Sequence, residues 1–171
     1  LGALYQDLKD WETAEKAYRR ALSVNPHDLF ATEKIGTLRE NRFDTELDRL
    51  RQEAEATKGT SEHAALVEKL KAKEKESVLF KMTEYDRRVK AHPTDYELKV
   101  RFGAILMKGG KFDEAIEQFQ KSVKDPKFKI ASLNLIGTCF REKMLYEVAE
   151  QQYAQALEGL ADKDSELGKD I

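Results

Sequence analysis

The residues of this 171-residue chain that could do chemistry are three histidines, one cysteine and many carboxylates and amines. His27, His63 and His92 lie far apart, at turns or helix starts, without the i, i+4 spacing that sets two imidazoles around a zinc ion on one helix face. They read as ordinary turn residues. Cys139 sits beside Phe140 with no histidine near in sequence to take its proton, which suits a small core residue better than a nucleophile. Gly109-Gly110 lacks the following Lys-Ser/Thr and helix start with which a phosphate loop holds a nucleotide, and reads as a turn between helices. The carboxylates spread along solvated helix faces, and none is paired in an apolar setting that would raise a pKa and make an acid catalyst. Lys69, Lys71, Lys73 and Lys75 form the densest basic run, but Glu74 and Glu76 cancel much of its field and no aromatic interleaves to stack on bases. The expectation is a chain with no catalytic residues, no metal, no cofactor and no nucleic-acid partner.

The elements that must position any remaining site follow from composition and periodicity. Charged residues make up 36% of the chain against a typical ~25%, with only 9 Gly and 3 Pro, the profile of a helical protein rather than a Pro/Gly-rich one. A single Cys excludes an internal disulfide framework, and no apolar stretch approaches the ~18 residues of a membrane-spanning helix, so direct membrane insertion is not expected. The net charge of −2 supplies no global field toward nucleic acid or anionic lipid. Leu1-Gly2 is neither an initiator Met nor a signal-peptide start, so a preceding native segment is expected to be missing; localisation stays open, with the lone thiol favouring a reducing compartment such as the cytoplasm.

The chain repeats itself. Phe102-Gly103 recurs as Ile136-Gly137, Phe112 as Tyr146, Ala115 as Ala149 and Phe119 as Tyr153, each pair 34 residues apart, and Leu1-Gly2 recurs as Ile35-Gly36 at the same step. Within one unit, Leu98, Phe102, Ile105 and Leu106 fall at helical spacing, Lys108 to Lys111 breaks the helix, and Phe112, Ala115, Ile116, Phe119 and Val123 resume it. That is a helix–turn–helix in which Gly103 permits a close crossing, Ala115 is small at the contact and Phe119 fills the space between. A hairpin apolar on both faces needs stacked neighbours to complete its core.

These residues resemble the tetratricopeptide repeat family. Leu1-Gly2, Tyr5, Ala14, Tyr18, Ala21 and Pro26 follow its pattern, as do Gly103, Ala115 and Phe119, and Gly137, Phe140, Ala149, Tyr153 and Ala156. Leu106 where an aromatic is usual, Ser122 in place of Ala, and Pro126 one residue early are the departures. The resemblance implies an all-α, right-handed superhelical solenoid of antiparallel helix pairs. Residues 1–28 make one repeat with a truncated first helix, 96–129 and 130–162 two more, and 163–171 the start of a further truncated helix.

Residues 29–95 fit the repeat poorly. Phe43, Leu47, Leu50 and Ala54 keep helical spacing, so the helix opening near Leu29 is expected to run to about Thr57. Thr57 to Ser61 reads as a turn, with Ser61 as N-cap of a second helix reaching His92-Pro93, roughly 45 Å long at ~1.5 Å per residue. Glu46/Arg49, Asp48/Arg51 and Glu68/Lys71 are placed to pair along a helix. Two degenerate repeats are the alternative to this elongated, coiled hairpin; they would put Glu46 at a helix crossing where a charge is costly to bury.

The resemblance also implies where a partner would lie, since the first helix of each repeat lines the concave groove. That stripe comprises Ala3 and Gln6; Glu33, Thr37 and Glu40; Val100, Arg101, Ala104 and Lys108; and Asn134, Thr138 and Arg141. Small Ala104 and Thr138 admit a backbone, while Arg101, Lys108, Asn134 and Arg141 can hold carboxylates or peptide groups. The bland alternative is ordinary surface. The stripe lacks the Lys and Asn one turn apart that chaperone-tail binders use. The expected function is a non-enzymatic scaffold for a peptide or protein surface, with self-association through repeat ends or the long hairpin as the alternative.

Overall fold

The computed structural model describes residues 10–167, with side chains through residue 160. Among the described residues there are only helices and turns: α1 Trp11–Val24, α2 Leu29–Ala56, α3 His63–Ala91, α4 Tyr96–Lys108, α5 Phe112–Ser122, α6 Pro126–Glu142 and α7 Tyr146–Leu167. Four helices start on an aspartate. The Asp10, Asp28, Asp95 and Asp125 carboxylates accept from the N–H groups of Thr13, Ala31, Leu98 and Lys127 at 3.1, 3.0, 3.0 and 2.8 Å. Each satisfies a donor that has no partner inside its helix, worth about 1 kcal/mol. The chain divides into two compact units, Leu1–Phe80 and Lys81–Ile171, with α3 contributing to both.

In the first unit, Ala14 and Tyr18 of α1 pack with Ala31 and Leu38 of α2, flanked by Trp11, Ala21, Leu22 and Ile35. Fully buried Leu38 and Leu50 each contribute about 1.5–3 kcal/mol of burial. Glu15 of α1, its side chain only 13% exposed, gathers three arginines: Arg19 at 2.7 Å, Arg39 at 3.1 Å and Arg42 at 3.6 Å. No Gly or Pro follows Gly36 until Gly59, whose φ of +84° suits the turn after α2.

The distal part of α2 runs antiparallel to the start of α3, because partners recede along one helix as they advance along the other. His63 Nδ1 meets the Ala54 carbonyl oxygen at 2.9 Å, Arg51 pairs with Glu74 at 2.9 Å, Glu46 with Lys73 at 3.2 Å, and the Phe43 and Phe80 rings lie 5.4 Å apart. Asp48/Arg51 and Glu68/Lys71 pair as expected, at 3.1 and 2.9 Å. Glu46 and Arg49 do not pair with each other: Lys73 on the facing helix draws Glu46, and Arg49 turns to Glu53 at 3.4 Å. α3 opens at His63 rather than just after Ser61, because residues 57–62 close further turns in which the Thr60 and His63 N–H groups donate to Thr57 and Thr60 carbonyls.

In the second unit Tyr85 of α3, Phe102 and Leu106 of α4, Ala115, Ile116 and Phe119 of α5, and Ile136 and Cys139 of α6 form one core. Gly103 and Gly137 are the close crossings. A Cβ added at either would fall 2.5 Å from Phe119 Cε1 or 2.6 Å from Tyr153 Cε1. The turns after α4 and α6 are built alike, with Gly110 at φ 73° and Met144 at φ 61°. α7 runs unbroken from Tyr146 through residue 163 to Leu167, so no separate helix begins at 163; residues 160–167 contain no Gly or Pro to break it.

Candidate interaction face

In the second unit α4 and α6 lie side by side, each turning one flank into the core and leaving the opposite flank to solvent. Phe102, Gly103 and Leu106 of α4 and Leu133, Ile136 and Gly137 of α6 are buried. Opposite them, Arg101, Lys108, Asn134 and Arg141 are exposed and Val100, Ala104 and Thr138 half-buried. Val100 and Ala104 correspond at one repeat's distance to Asn134 and Thr138, so the two stripes share a side of the unit. Glu33, Thr37 and Glu40 belong to the other unit, on one half-buried face of α2, where the Thr37 hydroxyl donates to the Glu33 carbonyl at 3.0 Å. Ala3 and Gln6 lie outside the described residues.

Both arginines of the face are already engaged. Arg101 donates to Glu97 at 2.6 Å, and this bond, together with one to the Tyr85 hydroxyl, raises the guanidinium pKa above its ordinary value. Arg141 donates to Glu142 at 3.0 Å, which with the nearby Tyr153 likewise favours its charged form. Thr138 is occupied as well, its hydroxyl donating to the Asn134 carbonyl at 3.0 Å and accepting from Tyr153 at 3.3 Å. Glu97, Tyr85, Glu142 and Tyr153 therefore belong to the face though the sequence reading passed over them. Glu97 was visible at i−4 from Arg101, and Tyr153 as the phenol standing one repeat after Phe119.

The residues considered for chemistry do not converge. Cys139 is wholly buried, and burial, then Asp113, pushes its thiol up to about 11, so it is not a thiolate at neutral pH. Among the described residues no three His, Cys, Asp or Glu side chains group as a metal site. Within the basic run Lys71 pairs with Glu68, and Lys73 with Glu46 and Glu76, the ion pairing of a solvated face. Among the described residues no helix is long and apolar enough to cross a membrane.

Helix pairs repeating at 34 residues, each closed by an aromatic against glycine, define the class of fold: an all-α helical repeat like that of tetratricopeptide-repeat proteins. The family described as Tetratricopeptide repeat matches residues 1–28 in sequence. No curated protein matches the chain. Among solved structures it is similar to a crystal structure of MamA (18% identity, TM-score 0.51, covering 96% of this chain and 97% of that one). It is also similar to MamA 41-end from Desulfovibrio magneticus RS-1 (18%, TM-score 0.54, 95% and 73%). The third is YrrB, described as a TPR protein with an unusual peptide-binding site (18%, TM-score 0.51, 99% and 89%). At these identities the likeness is one of fold.

Proposed function

We propose that the chain is a protein-interaction scaffold whose α4–α6 face holds an acidic peptide segment or a C-terminal carboxylate. What supports this reading is that Arg101, Lys108 and Arg141 are exposed on α4 and α6, two helices that share one core, and that the same stripes carry the short side chains of Ala104 and Thr138. Arg101 and Arg141 are held by exposed partners, Glu97 and Glu142, and exposed ion pairs are worth only about 0–1 kcal/mol. A ligand carboxylate can displace those partners at small cost, and the packed scaffold limits the entropy lost on binding. The peptide-binding site named for YrrB, a protein of like fold, supports a peptide as the ligand class.

The test is a fluorescence-polarisation screen of labelled peptides ending in acidic or in basic residues. Acidic peptides should bind in preference, and Arg101→Glu/Arg141→Glu should weaken them by about tenfold or more, with circular dichroism unchanged. A double variant that binds as well as wild type removes the face from consideration.

A further inference from the structure

The chain carries its own template for a second contact surface. On α5, Phe112, Ile116 and Val123 lie in the core that also takes in Leu135, Ile136, Cys139 and Phe140 of α6. Asp113, at the start of α5, pairs with Lys143, just past the end of α6, so the two helices run antiparallel. Thirty-four residues on, the positions of Phe112, Asp113, Ile116 and Val123 are Tyr146, Glu147, Glu150 and Leu157 of α7. The rotation of α7 matches that of α5, because Tyr153 fits against Gly137 as Phe119 fits against Gly103. The same flank therefore points the same way. On α5 that flank is covered by α6. On α7 it is open, with Tyr146 63%, Leu157 65% and neighbouring Leu160 45% exposed, and Glu147 and Glu150 in solvent.

We propose that this flank of α7 docks an amphipathic helix of a partner protein, seated as α6 is on α5 and bearing basic residues that meet Glu147 and Glu150. The apolar part of the recognition is the spaced Tyr146, Leu157 and Leu160, separated by about three turns and one turn of α7, which fit similarly spaced apolar anchors on the incoming helix. The charged part sets the choice of partner. Glu147 stands where Asp113 takes Lys143, so the partner needs a cation at its C-terminal end. Glu150 stands where α5 has buried Ile116, so a helix as apolar at this contact as α6 is with Ile136 and Cys139 would leave that carboxylate desolvated and unpaired. A second cation, one turn before the first, removes the penalty. This surface is separate from the α4–α6 face and does not depend on it.

Two labelled peptides copying residues 126–143 serve as probes, one carrying Cys139→Ser and the other Cys139→Arg, the latter placing a cation one turn before Lys143. Titrated against the full chain, the arginine peptide should bind about fivefold or more tighter than the serine peptide. Leu157→Asp in the chain should weaken both by about tenfold, and Glu150→Lys should reverse their order, with circular dichroism confirming that each variant is folded. Arg101→Glu/Arg141→Glu should change neither affinity. Equal affinities, no saturable binding, or indifference to Leu157→Asp would overturn the proposal. So would sedimentation showing a wild-type dimer that Leu157→Asp dissociates, since the face would then belong to a second copy.

Discussion

The Phe119 ring fills the space that a side chain at position 103 would need: a Cβ there would lie 2.5, 2.7 and 2.9 Å from Cε1, Cζ and Cδ1 of a ring that is itself fully buried. Such a ring has nowhere to retreat. Gly103→Ala should therefore destabilise the chain by about 1–3 kcal/mol, although alanine is the better helix former by roughly 1 kcal/mol. Paired with Phe119→Leu, which makes room, it should cost less than the two single changes added together. Urea denaturation of the four proteins checks this, and additive losses would contradict the contact.

Met144 supplies the opposite sign. Its φ of 61° lies in the left-handed region, its side chain is 75% exposed, and the equivalent residue of the preceding turn is Gly110 at φ 73°. A left-handed non-glycine residue costs roughly 1–2 kcal/mol, and glycine returns about 0.5–1 kcal/mol of that as unfolded-state entropy. Met144→Gly should thus stabilise by about 0.5 kcal/mol and Gly110→Met destabilise by about the same amount. Thermal melts of the pair should move in opposite directions.

Glu15 ties stability to pH. Burial pushes its pKa up, but the hydrogen bonds from Arg19 and Arg39 outweigh burial and hold it below the ordinary carboxylate value. With the folded pKa below the unfolded one, the contribution is fully present at neutral pH and is lost as pH falls through the folded pKa. Glu15→Gln should remove about 1 kcal/mol at pH 7, since the arginines are half in water. It should also flatten this part of the acid limb of a stability–pH curve, and an acid limb identical to wild type would exclude the role.

The parts of the fold that were legible in sequence are those fixed by sterics. Glycine at 103 and 137 sixteen residues before an aromatic states a close helix crossing, and Gly103–Phe119 and Gly137–Tyr153 are seen in contact. The unbroken run after Gly36 likewise carries α2 to Ala56. What depends on a neighbouring helix was not legible. Glu46 turns to Lys73 across the hairpin, a partner that spacing along one helix cannot show. In the proposed face, the pairing of Arg101 with Glu97 and of Arg141 with Glu142 depends on side-chain rotamers, which residue spacing does not fix. The left-handed Met144 was hidden since its residue type disfavours the conformation that its turn imposes.

Cys139 offers a reporter for these stability changes. Its side chain is wholly buried and its pKa stands near 11, so at pH 8 only about one thiol in a thousand would be thiolate, and that one is shielded. Iodoacetamide should label the native chain far more slowly than a peptide thiol, with a rate set by opening of the core it shares with Phe119 and Ile136. When closing outpaces alkylation, that rate follows the population of the open form. A loss of 1.4 kcal/mol should then speed labelling about tenfold at 25 °C, provided that the opening exposes the whole core of the second unit. Gly103→Ala should accelerate it and Met144→Gly slow it, while Glu15→Gln, in the other unit, should leave it nearly unchanged if the two units open independently. Mass spectrometry of the labelled chain gives all three rates. Labelling as fast as in 6 M urea would show that Cys139 is not enclosed, and equal acceleration by Gly103→Ala and Glu15→Gln would show that the units open as one.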